Sequence, residues 1–132
     1  WEPRIAMLSF STRGSGNHPD VDKVVEAVRL VASRAPGLKV DGEMQVDAAL
    51  LPHVAEKKMG GQAGPVAGRA NILVFPDLDA ANMASKLVQV LAKARAFGPV
   101  LQGFSRPLSD LSRNATVRDV VDTALLVSAQ AE

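Results

Sequence analysis

The sequence predicts an α/β fold: a mostly parallel sheet with helices on both of its faces. Three observations carry that expectation. Short apolar runs alternate with stretches of helical periodicity along the chain, the sequence form of strands joined by crossover helices. Residues 70–76, ANILVFP, are almost continuously apolar, as in a parallel strand covered on both faces. The 132 residues, 47% hydrophobic and 22% charged, suffice for one compact domain with a core and are too few for two ordinary ones.

Each element has its own local reason. Residues 4–10, RIAMLSF, form a short apolar run ended by small polar residues and read as the first buried strand. In residues 18–37, HPDVDKVVEAVRLVASRAPG, helical spacing puts Val21, Val24, Val25, Val28 and either Val31 or Ala32 on one apolar face. Pro19 suits the first turn, Asp20 and Asp22 favour the positive helix end, and APG stops the helix. LKVDG (38–42) is the second strand, closed by Gly42. QVDAALLPHVAEKK (45–58) is helical in pattern, and Pro52 breaks it into two pieces. GGQAGPVAG (60–68) is a flexible loop by composition and precedes the third strand. DLDAANMASKLVQVLAKAR (77–95) is a helix with Met83, Leu87, Val88 and Leu91 on its buried stripe. FGPVLQGF (97–104) is a fourth short strand. TVRDVVDTALLVSAQ (116–130) is a last helix burying Val117, Val120, Val121, Ala124 and Leu125. The chain has no internal repeat, no low-complexity tract and no linker.

Composition removes several classes of function. Lys+Arg 15 against Asp+Glu 14 leaves a net charge of +1, so no broad field points to nucleic acid or an anionic membrane. Trp1, four Phe and no Tyr leave no base-stacking platform. Without cysteine there is no disulfide and no thiol catalysis, and two histidines cannot build a His/Cys zinc site. No apolar run approaches the ~20 residues of a membrane span and no signal peptide is visible, so the expected home is cytoplasmic. The first residue is Trp1 in place of Met, from which we expect a piece of a longer protein.

Ligands of parallel sheets bind beyond the carboxyl ends of the strands. The loops there carry Arg13, Arg106 and Arg113 among small polar residues, a composition suited to phosphate or another oxyanion. STRGSG (11–16) reads either as an anion cradle of backbone N–H groups, with Ser11, Thr12 and Arg13 as contacts, or as an ordinary strand–helix loop. It lacks the Walker pattern. Asp77 and Asp79 read as helix caps, and the Asn82 amide can donate and accept toward a ligand. Asp41, Glu43 and Asp47 either do acid–base or magnesium chemistry or, as such acids more often do, stay solvated or neutralise nearby arginines, and we assign no metal. His18 and His53 read as capping or surface residues. Gln102 and Gly103, toward the end of the fourth strand, complete the substrate-contact candidates.

The stretch SDLSRNATVRD (109–119) is the most informative. Thr116 and Asp119 have the spacing of a capping box. Ser112 and Arg113 lie outside it, and an arginine beside a helix N-terminus meets the unfavourable end of the dipole unless an anion lies between. Helix N–H groups, a hydroxyl, a guanidinium and a carboxylate together make sense as an oxyanion site with its base.

Several separated blocks then agree, in order and spacing, with one family. EPRIAMLSFSTRGSGNHPDVDKVVEA, VDGEMQVDAALLPHVAEKK, GPVAGRANILVFPDLDAANM, KLVQVL and FGPVLQGFSRPLSDLSRNATVRDVV resemble the phosphate acetyltransferase (phosphotransacetylase) family. The resemblance runs from Pro3 to about Gln130 and covers the C-terminal portion of the catalytic domain. It implies that the upstream half is absent from residues 1–132. It implies a two-subdomain architecture like that of isocitrate and isopropylmalate dehydrogenases. It also implies a reaction, exchange of an acetyl group between acetyl-CoA and phosphate, giving acetyl phosphate and CoA. By the same resemblance Asp119 takes the CoA thiol proton, Arg113 holds acetyl phosphate and Ser112 hydrogen-bonds the reacting group. Coenzyme A is then a substrate, no further cofactor is needed, and the assembly is a homodimer. The family motif continues with Gly and Cys where this chain has Asn114 and Ala115. The alternative is the related C-terminal domain of hybrid malic enzymes, which senses acetyl-CoA and assembles oligomers without acyl transfer. Such domains usually lose the Ser–Arg pair that this chain keeps at Ser112–Arg113.

Overall fold

The computed structural model describes residues 1–131 and divides into two compact units, Trp1–Ala84 and a second that starts at Ser85. In the first unit, β1 (Arg4–Leu8), β2 (Lys39–Met44) and β3 (Ile72–Val74) form a parallel sheet in the order β2-β1-β3. Helix α1 (Pro19–Arg34) joins β1 to β2. Helices α2 (Val46–Leu50) and α3 (Pro52–Met59) lead from β2 across to the far edge at β3.

Local chemistry sets these boundaries. His18 caps α1 by accepting the Asp20 N–H on Nδ1 at 3.2 Å, and Pro19 opens the helix. Pro52 separates α2 from α3, because it has no N–H to continue the ladder. Successive side chains of β1 point to opposite faces. Ala6 and Leu8 join Met44, Ala48, Ala49, Ala55 and Met59 in the buried core under α2 and α3. Met7 lies with Val24 and Ala27 of α1, so helices cover both faces. Gly42 lets β2 run against β1, since a Cβ there would stand 2.7 Å from the Met7 carbonyl oxygen.

Three expectations for this unit change. Val25 is exposed, and the covered side of α1 runs through Val21, Val24, Ala27, Val28 and Val31. Residues 60–68 are more than a flexible loop. Val66 and Ala67 are buried in the core, and the Gly68 N–H donates to the Ala48 carbonyl at 2.7 Å. β3 is an edge strand whose Val74 is exposed, so its apolar run is covered only in part.

Helix α4 (Leu78–Leu91) spans the boundary. Its half-buried residues are Ala80, Ala81 and Ala84, all in the first unit. Met83, Leu87, Val88 and Leu91, expected on a buried stripe, are exposed. In the second unit, β4 (Val100–Leu101) pairs antiparallel with β5 (Leu108–Ser109), and α5 (Val117–Ala129) follows. The fourth strand therefore does not extend the parallel sheet. The chain reverses over residues 102–107, and a reversal that short can only return antiparallel. On α5 the covered side carries Asp119, Asp122, Thr123, Leu126 and Val127. Val117, Val120, Val121, Ala124 and Leu125 are exposed, contrary to the expected burial. Among the described residues of this unit Thr123 alone is buried. No helix among the described residues is long and apolar enough to cross a membrane.

Candidate active site

The candidate residues fall into two groups, one in each unit. In the first, the loop after β1 carries Ser11, Thr12 and Arg13. Every backbone N–H from 11 to 16 already has a partner. Ser11 N–H donates to Ser9 Oγ at 3.2 Å, Thr12 N–H to Ser15 Oγ at 2.9 Å, and Arg13 N–H to the Glu43 carbonyl at 3.2 Å. Gly14 N–H donates to Glu43 Oε1 at 2.7 Å, Ser15 N–H to the Thr12 carbonyl at 3.2 Å, and Gly16 N–H to Ser11 Oγ at 2.9 Å. The backbone is thus a self-bonded strand–helix loop, not an open cradle. Ser11 and Thr12 are buried and turn inward. The Ser11 hydroxyl donates to Glu43 Oε1 at 2.7 Å, and Thr12 Oγ1 accepts the Gln45 N–H at 3.0 Å. Arg13 points outward. Its Nη2 meets both Asp41 carboxylate oxygens, at 2.7 and 2.9 Å, and its side chain stays 47% exposed.

The three acids of 41–47 go to three different partners. Asp41 pairs with Arg13, Glu43 holds the loop, and Asp47 accepts from Lys58 Nζ at 2.8 Å. The Lys58 hydrogen bond holds the Asp47 pKa below the ordinary aspartate value. The expected neutralisation of an arginine describes Asp41, whereas the cation beside Asp47 is a lysine. Sequence reasoning did not separate Glu43 from them. The strand expected to close at Gly42 runs on to Met44, which puts the Glu43 carboxylate inside β2.

A cleft of about 560 Å³ opens at the carboxyl ends of β1 and β3, where the sequence places the ligands of a parallel sheet, and its lining is more apolar than the polar rim expected there. Leu8, Phe10, Val46, Phe75 and Pro76 line it, with Asp20, Asp47 and Asp77 among its polar groups. Asp77 also caps the start of α4, accepting the Ala80 N–H at 2.7 Å. Asn82 is exposed on α4.

In the second unit, Ser112 and Arg113 lie on the turn before α5 and Asp119 in its first turn. Thr116 is the N-cap, and its hydroxyl accepts the Asp119 N–H at 3.2 Å. Asp119 Oδ2 accepts both the Thr116 N–H and its hydroxyl, each at 2.8 Å, closing the expected capping box. The Thr116 N–H is the main cause of an Asp119 pKa below the ordinary aspartate value. The Thr116 hydroxyl and the nearby Arg95 and Arg118 charges pull the same way. Ser112 and Arg113 are exposed on the preceding turn, with the Ser112 hydroxyl bonded to Asn114 Oδ1. Gln102 and Gly103 stand apart from this cluster. With Arg106 and Gln130 they line a groove by the C-terminal end of α5, roughly 20 Å of helix from its N-terminus.

Comparison with known proteins agrees with this arrangement of elements. The model of the phosphate acetyl/butaryl transferase family matches residues 1–128. A phosphate acetyltransferase of Thermoanaerobacterium thermosaccharolyticum is 53% identical over 131 residues, 99% of this chain and 39% of that protein. The phosphate acetyltransferase of Bacillus subtilis is 48% identical over 130 residues, 98% of this chain and 40% of that protein. Among solved structures, a phosphotransacetylase from Streptococcus pyogenes superposes with a TM-score of 0.91 at 47% identity, covering 99% of this chain and 39% of that one. The EutD phosphotransacetylase from Staphylococcus aureus gives 0.89 at 46% identity, covering 99% and 40%. The chain thus spans about two-fifths of the length of these relatives. With a family match across nearly all its residues and a fold shared at close to half identity, the chain belongs to the phosphate acetyl/butaryl transferase family.

Proposed function

We propose that this chain supplies part of the active site of an acyltransferase that exchanges an acetyl group between acetyl-CoA and phosphate. The observation that carries the reading is the succession of Ser112 and Arg113 on the turn before α5 and Asp119 in its first turn, in a chain of this family. In the direction of acetyl-CoA formation, Asp119 accepts the proton of the CoA thiol. The sulfur attacks the acetyl carbonyl of acetyl phosphate, and the acyl C–O bond breaks with its electron pair passing to the departing phosphate. The Arg113 guanidinium stabilises the charge that grows on phosphate, and Ser112 hydrogen-bonds the reacting group.

The capping box bears on the base. Asp119 is ionised throughout the neutral range, and only Oδ2 is engaged by Thr116. A carboxylate of lowered pKa is a weak base toward a thiol, so proton transfer accompanies attack instead of preceding it. In the first unit we assign Arg13 to a phosphoryl oxygen of acetyl phosphate or of CoA. Ser11 and Thr12 act by shaping the loop that carries it. Asn82, and Gln102 with Gly103, are each assigned as substrate contacts. Coenzyme A is the substrate and no separate cofactor takes part. The assembly is a homodimer, which light scattering tests.

Retention of Ser112–Arg113, together with relatives named as transferases, favours catalysis over an acetyl-CoA-sensing role. The experiment is acetyl phosphate-dependent formation of acetyl-CoA by the complete native polypeptide that carries this chain. Ser112→Ala, Arg113→Ala and Asp119→Asn should each depress it by about 10²-fold or more, the scale of losing one charge-stabilising or proton-transfer group. Full activity in all three variants would sink the assignment. Acetyl-CoA binding without turnover in the unaltered protein would support the sensing role.

A further inference from the structure

We propose that Glu43 is a positioning residue that fixes Arg13 through the backbone of the loop after β1. The proposal rests on the reading above, in which Arg13 meets a phosphoryl oxygen. Glu43 is 4% exposed, and a carboxylate so far from water needs hydrogen bonds to stay. It takes them from both sides of Arg13. Oε1 accepts the Ser11 hydroxyl and the Gly14 N–H, each at 2.7 Å, while the Glu43 carbonyl accepts the Arg13 N–H at 3.2 Å. The Ser11 oxygen in turn accepts the Gly16 N–H at 2.9 Å, which carries the constraint to the end of the loop.

Arg13 itself has a φ of 50°, a left-handed conformation uncommon for any residue but glycine. Such a conformation persists where the surroundings over-determine it, and Glu43 supplies the bonds that do so. Asp41, two residues earlier in β2, fixes the guanidinium end of Arg13 through Nη2 alone. That pair leaves Nε and Nη1 of the fork for a ligand. The division of labour follows from the partners. Asp41 meets the charge of Arg13, whereas Glu43 touches only its backbone and the backbone and hydroxyl of its neighbours. The role of Glu43 is thus one of reach, not charge, and its effect is a guanidinium held ready before the substrate arrives.

Two substitutions separate reach from charge. Glu43→Gln keeps an acceptor oxygen in place and loses the charge, while Glu43→Asp keeps the charge and falls one methylene short. KM for acetyl phosphate and for CoA are measured separately in the complete native polypeptide, with Arg13→Ala as reference. Arg13→Ala should raise one of the two, which identifies the source of the phosphoryl group. Glu43→Asp should raise that same KM about tenfold, the scale of one buried hydrogen bond left unmade, and leave the other within about twofold. Glu43→Gln should leave both within about twofold of the parent. If the Asp variant does not fold, Ser11→Ala breaks the same bracket and should raise the same KM roughly threefold. An unchanged KM in the loop variants, with Arg13→Ala impaired, overturns the proposal, as does a Gln variant worse than the Asp variant. If Arg13→Ala raises neither KM, the assignment of Arg13 fails first, and the role of Glu43 falls with it.

Discussion

Asp119 serves two masters, and the conflict is measurable. As the third helical residue of α5 it closes a capping box, and the Thr116 N–H and hydroxyl both stabilise its ionised form. As a base it would gain from a pKa nearer neutrality. If Asp119 is the base, the acid limb of kcat/KM must lie below the ordinary aspartate value, because activity needs the carboxylate. Thr116→Ala removes the hydroxyl bond and keeps the N–H, so it should shift that limb upward in part. A limb unmoved by Thr116→Ala would detach the titration from Asp119. Arg113 offers the complementary case. Its exposed guanidinium stands on the turn before a helix N-terminus, where the dipole disfavours a cation. Arg113→Ala should therefore not destabilise the unliganded chain, with a change within about 0.5 kcal/mol in denaturant unfolding. A larger loss of stability would mean that Arg113 is a structural residue.

At the scale of elements, the boundaries fixed by local chemistry were legible and those fixed by pairing were not. The His18–Pro19 start of α1, the break at Pro52 and the Thr116–Asp119 box each depend on one or two residues whose effect is intrinsic. β5 is only Leu108–Ser109, too short for a period of two to register, and β4 is a strand only because β5 pairs with it. Glu43 was visible as an acid, but its partners lie 29 and 32 residues away in sequence. The cap of α5 should contribute about 1 kcal/mol, so Thr116→Ala should lower the unfolding free energy by that amount. The tie between α2 and α3 has a pH signature. Lys58 lowers the folded-state pKa of Asp47, so its stabilising effect is complete above the unfolded-state value. It is lost as pH falls through the folded-state value. Lys58→Met should therefore flatten the acid end of the stability–pH curve. An acid end as steep as the parent's would mean that other carboxylates carry it.

At the scale of the whole chain, periodicity identified the apolar stripes of α4 and α5, and their exposure lay beyond its reach. Hydrophobic spacing reports which face of a helix is apolar; burial also needs an opposing surface. In α1 that surface is the sheet, and Val21 and Val24 are buried as the spacing implied. In α5 the same kind of stripe stays exposed, with Leu125 at 64%. The two units consequently differ in what holds them. The first contains a contiguous core from Ala6 to Ala67, while in the second only Thr123 is buried among the described residues. Amide protection follows buried contacts and falls toward zero where they are few. Native-state hydrogen exchange on this chain should find the slowest amides in β1, β2 and α1, and exchange at least 10²-fold faster through β4, β5 and α5. Met44→Ala, which empties a fully buried site, should cost about 2–5 kcal/mol and speed exchange in the first unit. Leu125→Glu, on the exposed stripe, should change stability by less than about 0.5 kcal/mol. Equal protection in both units, or a Leu125→Glu penalty as large as that of Met44→Ala, would mean that the α5 stripe is covered in solution.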